Sequence, residues 1–225
     1  MGIASGTMIK RSASVGERAT TVPWLVLSDD WGRHPTSCQH LIRHLLPEQP
    51  VTWVNMIGTR RPALDWATAR RGFEKLGQWF RPGAAESLPP NLRVVSPKMW
   101  PGFGRALERR INRAWIVRQL RPPLEQMSEP PIAITTMPTT ADLVGALPAK
   151  HWVYYCVDDF STWPGIDQAA ARVLEDRLID TADVLVAASE SLCDRIARRG
   201  RSAHLLTHGV DLGFWKMSPL SRHCG

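Results

Sequence analysis

The chain of 225 residues contains no uninterrupted apolar run near the roughly 18 residues that a membrane-spanning helix requires. Its first twenty residues, with Lys10, Arg11, Glu17 and Arg18, lack the apolar core of a secretory signal. The expectation is a cytoplasmic protein whose residues 1–22 form a disordered leader. Cysteine is scarce: Cys38, Cys156, Cys193 and Cys224 form no CxxC pair and stand at no metal-ligand spacing from histidine. That excludes a disulfide scaffold and leaves buried free thiols, with no metal site, as the expectation. No GxxxxGK[ST] is present, which excludes a P-loop, and neither a GxSxG elbow nor HExxH occurs, which removes the commonest hydrolases. Gly102-Phe103-Gly104 is half of a dinucleotide fingerprint, but Leu107 stands where the third glycine belongs, so a turn opening a helix is the preferred reading.

An apolar content of 44% with 22% charged residues describes a chain able to bury a core, and at roughly 150 residues per domain it forms one large domain or two very small ones. Ten tryptophans are spread without a period, so no repeat architecture follows. The net charge of +7 is unevenly placed: residues 1–125 carry 19 Lys and Arg against 9 Asp and Glu, and the remainder 9 against 12. The basic half suits an anionic partner or a solvated arginine-rich surface, and both stay open. Nucleic acid is not the expected partner, because no recognition helix or stacking motif accompanies the charge.

Short β-branched runs at Trp24–Leu27, Val51–Ile57, Leu92–Val95, Ile132–Thr136, Trp152–Val157, Val184–Ala188 and Ala203–Thr207 predict seven strands. Between them, helices are expected at about Ser37–Leu46, Leu64–Trp79, Phe103–Leu120, Thr140–Ala146, Asp167–Ala182 and Ser191–Arg199. An unbroken alternation of near-continuous apolar strands with helices predicts a doubly wound α/β class, with a mostly parallel sheet covered on both faces. Ligands in such sheets bind beside the loops that follow the carboxyl ends of strands. In the helix from Phe103, Arg105, Arg109 and Arg113 form an i, i+4, i+8 stripe beside Leu107, Ile111, Ala114 and Trp115. Two readings fit: a helix lying on an anionic membrane through Arg105, Arg109, Arg113 and Trp115, or one packed on the sheet with solvated arginines.

Four segments in order carry a resemblance: Tyr154-Tyr155-Cys156-Val157-Asp158-Asp159-Phe160-Ser161, then Leu174-Glu175, then Ala182-Asp183-Val184-Leu185-Val186-Ala187-Ala188-Ser189, and His208-Gly209-Val210-Asp211. Together they resemble the amino-terminal domain of GT-B fold glycosyltransferases of the family 4, or group 1, type. The resemblance implies a seven-stranded Rossmann-like domain over residues 23–211 that presents a sugar or lipid-linked acceptor. It also implies a nucleotide sugar as co-substrate with no tightly bound cofactor, and a partner domain that binds the donor. That donor-binding domain is expected to be absent from this chain, with residues 212–225 an unmatched tail, so that an isolated chain is expected to be inactive.

The resemblance places candidate residues in the loops after strands. The loop after the first strand offers Asp30, Gly32, Arg33 and His34, with Ser37 at the following helix; one glycine is too few for a bare phosphate cradle, and Arg33, His34 and the helix start are the substitute donors. Thr36 or Ser37 as a simple helix cap is the competing reading. Thr139 lines the same edge after the fourth strand, where some family members carry a catalytic histidine and this chain has none. Asp158 and Asp159 are the candidates to accept a hydrogen bond from an acceptor hydroxyl; capping of the amides of a following turn is the alternative. His208 and Gly209 close the list of cleft residues, His208 as a hydrogen-bonding group rather than a proton carrier.

Overall fold

The computed structural model describes residues 21–33, 36–56, 88–163 and 165–209. His34, the helix expected at Leu64–Trp79, residues 1–20 of the expected leader, and the tail lie outside the described residues. Seven strands form one sheet: β1 (Trp24–Ser28), β2 (Val51–Asn55), β3 (Leu92–Val95), β4 (Ile132–Thr135), β5 (His151–Cys156), β6 (Val184–Ala187) and β7 (His204–Leu205). Their spatial order is β3-β2-β1-β4-β5-β6-β7, and every neighbouring pair is parallel. This is the expected Rossmann-like arrangement, and the strand order reverses between β1 and β4.

Among the described residues four α-helices accompany it: α1 (Ser37–Leu45), α2 (Ala106–Glu125), α3 (Gln168–Thr181) and α4 (Glu190–Ala197). Because side chains alternate along a strand, Val26 and Trp53 point to one face and Leu25 and Leu27 to the other. Cys38 and Ile42 of α1 pack with Val26 and Trp53. Ile116, Leu120 and Leu124 of α2 pack with Leu25 and Leu27. Glu175 of α3 and Arg195 of α4 meet Tyr154 and Cys156, which share the face of Leu27 through the register Leu27, Thr135, Tyr154. Two helix layers thus sandwich the sheet. Among the described residues no helix is long and apolar enough to cross a membrane.

Two elements depart from their sequence expectations. The helix expected at Thr140–Ala146 is a 3-10 helix over Pro138–Leu143. Thr140 Oγ1 meets Thr135 Oγ1 at 2.8 Å and Met137 O at 2.7 Å, tying the turn tightly to the strand end, and Gly145 at φ +72° ends the segment. Helix α2 begins three residues later than expected, because the Asn112 amide ties down the preceding loop: Trp100 N donates to Oδ1 at 2.6 Å, and Nδ2 donates to Gly102 O at 2.8 Å. It then runs past Leu120 through Pro122 and Pro123 to Glu125. Each proline removes one i to i−4 bond, but the carbonyls released belong to Arg118 and Gln119, both exposed residues, and Leu124 anchors the last turn at 3% exposure.

Candidate functional site

In doubly wound sheets ligands bind in the crevice at the carboxyl edge where the strand order reverses, here between β1 and β4, and the loops at that edge are held by specific bonds. Ser28 Oγ and Thr136 Oγ1 meet at 2.7 Å across the two strand ends, and Ser28 Oγ also donates to Asp29 Oδ1 at 2.9 Å. The Asp29–Arg33 turn is pinned from three sides: Trp53 Nε1 donates to Asp29 O, Trp31 N donates to Asn55 Oδ1, and the Gln39 amide bridges Gly32 N and Asp30 O. Gly32 adopts φ +78°, a left-handed conformation that a side chain makes costly. Arg33 forms an exposed ion pair with Asp30 at 3.3 Å, so the cation offered as an anion ligand already has a carboxylate partner.

Thr36 caps α1, its Oγ1 accepting from Gln39 N at 3.3 Å. That leaves Ser37 free to meet His208, whose Nδ1 lies 2.5 Å from Ser37 Oγ. Two residues 171 positions apart are therefore brought together at the amino terminus of α1, and Gly209 follows with open space around its Cα. Thr139 is buried at 3% exposure in the turn after β4, beneath the crevice rather than lining it openly.

Asp158 and Asp159 part company at the end of β5. Asp158 is exposed, and its Oδ1 accepts from Asp159 N at 3.0 Å. Asp159 is turned inward: its Oδ1 accepts from Ser161 N at 3.0 Å, Ser161 Oγ at 2.6 Å and Arg195 at 2.7 Å. It caps the 3-10 helix Phe160–Thr162, the alternative role foreseen for it. Partial burial works to raise its pKa, but the Ser161 hydrogen bonds and the Arg195 charge outweigh that and hold it below the usual carboxylate value. Of the pair, Asp158 is the one presented to solvent at the crevice edge.

Beneath them lies a network that spacing alone did not reveal. Arg195 of α4 pairs with Asp159 and with Glu175, which is 3% exposed on α3. Glu175 Oε1 also accepts from Tyr154 Oη at 2.8 Å and faces Cys156 Sγ at 3.5 Å. Burial raises the Glu175 pKa despite the Tyr154 hydrogen bond and the Arg195 cation, and burial pushes the Cys156 thiol up to about 12. Arg195 Nε is buried with no hydrogen-bond partner among the described residues. A signal for Glu175 was present in the sequence: it stands between Leu174 and Leu178 on the core face of a helix, where a carboxylate demands a buried cation. Nothing in the spacing marked Arg195 as that cation.

The arginine stripe of α2 is not directed outward as one unit. Arg109 Nε lies 3.4 Å from Asp142 Oδ2, and Arg113 Nε donates to Asp142 O at 3.1 Å, so both turn toward the 3-10 segment after β4; Asp142 also pairs with Arg177. Arg105 precedes the helix as its exposed cap residue. Trp115 is 46% exposed. A groove of about 400 Å³ lined by Trp31, Arg43, Leu46, Leu88, Pro89 and Asn91, among others, lies beside α1 and shares only Trp31 with the crevice loops. Arg43 stacks 5.6 Å from the Trp31 ring centroid and Trp31 meets Trp53 edge-on at 4.9 Å, so the aromatic wall is already engaged. No protein-family model matches the chain, and no curated protein matches it.

Proposed function

We propose that the chain is the acceptor-side domain of a nucleotide-sugar-dependent glycosyltransferase of the GT-B type, transferring a hexosyl group to a polysaccharide or lipid-linked acceptor. The observation that carries the proposal is the strand-order reversal between β1 and β4, with Ser37 and His208 meeting at the amino terminus of α1 and Asp158 exposed in the loop after β5. The order of the four sequence segments supports the same reading, since three of them supply Asp158, Glu175 and His208.

In this reading the acceptor hydroxyl donates a hydrogen bond to the Asp158 carboxylate, which orients its oxygen toward the anomeric carbon of the donor. The bond from that carbon to the nucleoside diphosphate breaks as the new glycosidic bond forms, the diphosphate leaving with the bonding electron pair and the hydroxyl proton passing to the Asp158 carboxylate. The Ser37–His208 pair and the amino terminus of α1 supply fixed dipoles beside the site of developing negative charge. Arg195 and Glu175 are positioning residues: they fix Asp159 inward and thereby set the turn that presents Asp158. A second Rossmann-like domain, on this or another polypeptide, holds the donor, and domain closure excludes water. Nucleotide sugar binds this domain alone weakly or not at all. The proposal places the enzyme at the membrane periphery, serving cell-surface polysaccharide or glycolipid assembly.

The test is chemical-shift mapping of the labelled protein during titration with a panel of oligosaccharides and, separately, nucleotide sugars. Shifts gathered at residues 29–37, 158–159 and 208–209 with an oligosaccharide support the reading; shifts confined to other surfaces, or none with any sugar, oppose it. A second reading, a non-catalytic module for anionic lipid or glycan, is favoured by the exposed tryptophan and arginines of α2 and predicts that no sugar perturbs the crevice.

A further inference from the structure

The wheel of α2 separates two arcs. Asn112, Ile116, Leu120 and Leu124 are buried against the sheet. On the opposite arc, Leu107 is 68% exposed and Trp115 46% exposed, with Ala114 exposed and Ile111 half-buried between them. Burying such side chains in another apolar medium is favourable, and water is a poor final partner for them.

Charge selects the partner. Arg110 and Arg118 are exposed along the borders of this arc, and among the described residues neither forms an ion pair. The acid within the first turn, Glu108, is turned back to accept from Arg105 N at 2.9 Å. At the far end Glu125 is met by Arg121 at 3.8 Å. An apolar centre of tryptophan, leucine and isoleucine flanked by two arginines without ion-pair partners among the described residues suits a helix that lies in the plane of an anionic lipid surface.

We infer that the outer face of α2, centred on Leu107 and Trp115 with Arg110 and Arg118, docks the chain on an anionic lipid leaflet. The docking residues differ from the stripe read from sequence, because Arg109 and Arg113 are spent on Asp142. The location gives the contact a purpose. Helix α2 returns antiparallel to β3, so its first turn lies at the carboxyl edge of the sheet, where Gly104 abuts Asp167, the cap of α3. A leaflet touching Leu107 thus lies beside the crevice, within reach of a lipid-linked acceptor. This last step rests on the transferase reading, whereas vesicle binding is measured without any transfer, so each can fail alone.

The experiment is flotation of the full chain with vesicles of phosphatidylcholine alone or with about one-third phosphatidylglycerol. Binding to the anionic vesicles and not to the neutral ones is expected. The double variant Arg110→Gln/Arg118→Gln is expected to lower partitioning roughly 25-fold, about five-fold for each arginine. Leu107→Ser/Trp115→Ser is expected to abolish it, while Arg198→Gln at the exposed carboxy-terminal cap of α4 leaves it unchanged. All four α2 substitutions are at exposed or half-covered positions, and unchanged circular dichroism confirms the fold. No binding to anionic vesicles, equal binding to neutral ones, or a chain dimer that the Leu107→Ser/Trp115→Ser variant dissolves would each overturn the inference.

Discussion

Replacing Arg195 by Met removes the cation that Glu175 and Asp159 share while keeping most of the side chain's volume. Breaking a buried ion pair from one side costs about 3–5 kcal/mol, because the surviving charge stays buried without compensation. Here the two arms differ. Glu175 is 3% exposed and bears nearly the full penalty, whereas the Asp159 side chain is 35% exposed and solvent screens its loss, so that arm adds little. The expected cost at pH 7 is about 3 kcal/mol. With a urea slope of about 2 kcal/mol/M, the unfolding midpoint followed by tryptophan fluorescence falls by about 1.5 M.

The pH dependence separates this mechanism from a packing defect. Without Arg195, the folded-state pKa of Glu175 rises further above its unfolded value, so the folded protein binds more protons than the unfolded chain between the two. Stability then falls as pH rises through that window. The penalty of Arg195→Met is therefore expected to shrink on going from pH 7 to pH 5, by at most about 2.7 kcal/mol over the two units. A penalty equal at both pH values, or one below about 1 kcal/mol at pH 7, would refute the reasoning.

Three further outcomes follow from the same geometry. Gly32→Ala places a Cβ in open space but forces a left-handed backbone, so calorimetry is expected to show a loss of about 1 kcal/mol with no change in crevice shape. Alkylation at pH 8 followed by mass spectrometry is expected to label Cys193 while sparing Cys38 and Cys156, whose buried thiols are both pushed up to about 12; early labelling of either would contradict their burial. Asp158→Asn is expected to leave the urea midpoint unchanged and to reduce transfer, whereas Asp159→Asn lowers stability by about 1–2 kcal/mol through the lost Arg195 and Ser161 bonds; the reverse pattern would exchange their assigned roles.

The sheet was legible because its signal is repetitive: seven apolar runs separated by amphipathic stretches leave few alternatives to a parallel α/β arrangement. The lengths of elements were less so. Strand β7 keeps only two paired residues of the expected five, since an edge strand lacks a second neighbour to extend it. The segment after β4 was expected as a helix from its composition, but Pro138 and the Thr135–Thr140 contact tighten it to a 3-10 turn. At the site, the loop positions followed from the strand ends, and Ser37 and His208 do meet. What the spacing of residues did not reveal is direction. Asp158 and Asp159 are adjacent and chemically identical, and only the location of Arg195, 36 residues on, decides which one turns inward. The same holds for α2, where Asp142, distant in sequence, draws Arg109 and Arg113 away from the face they were assigned to.

The most direct test of the transferase proposal is sugar transfer itself. Extracts with membranes from a host strain lacking the gene supply acceptor and any partner domain, and the purified chain is added with each of a panel of radiolabelled nucleotide sugars. Label incorporated into lipid or polysaccharide only when the chain is present, and lost with Asp158→Asn, is the predicted result. No incorporation above the extract alone with any nucleotide sugar would contradict it.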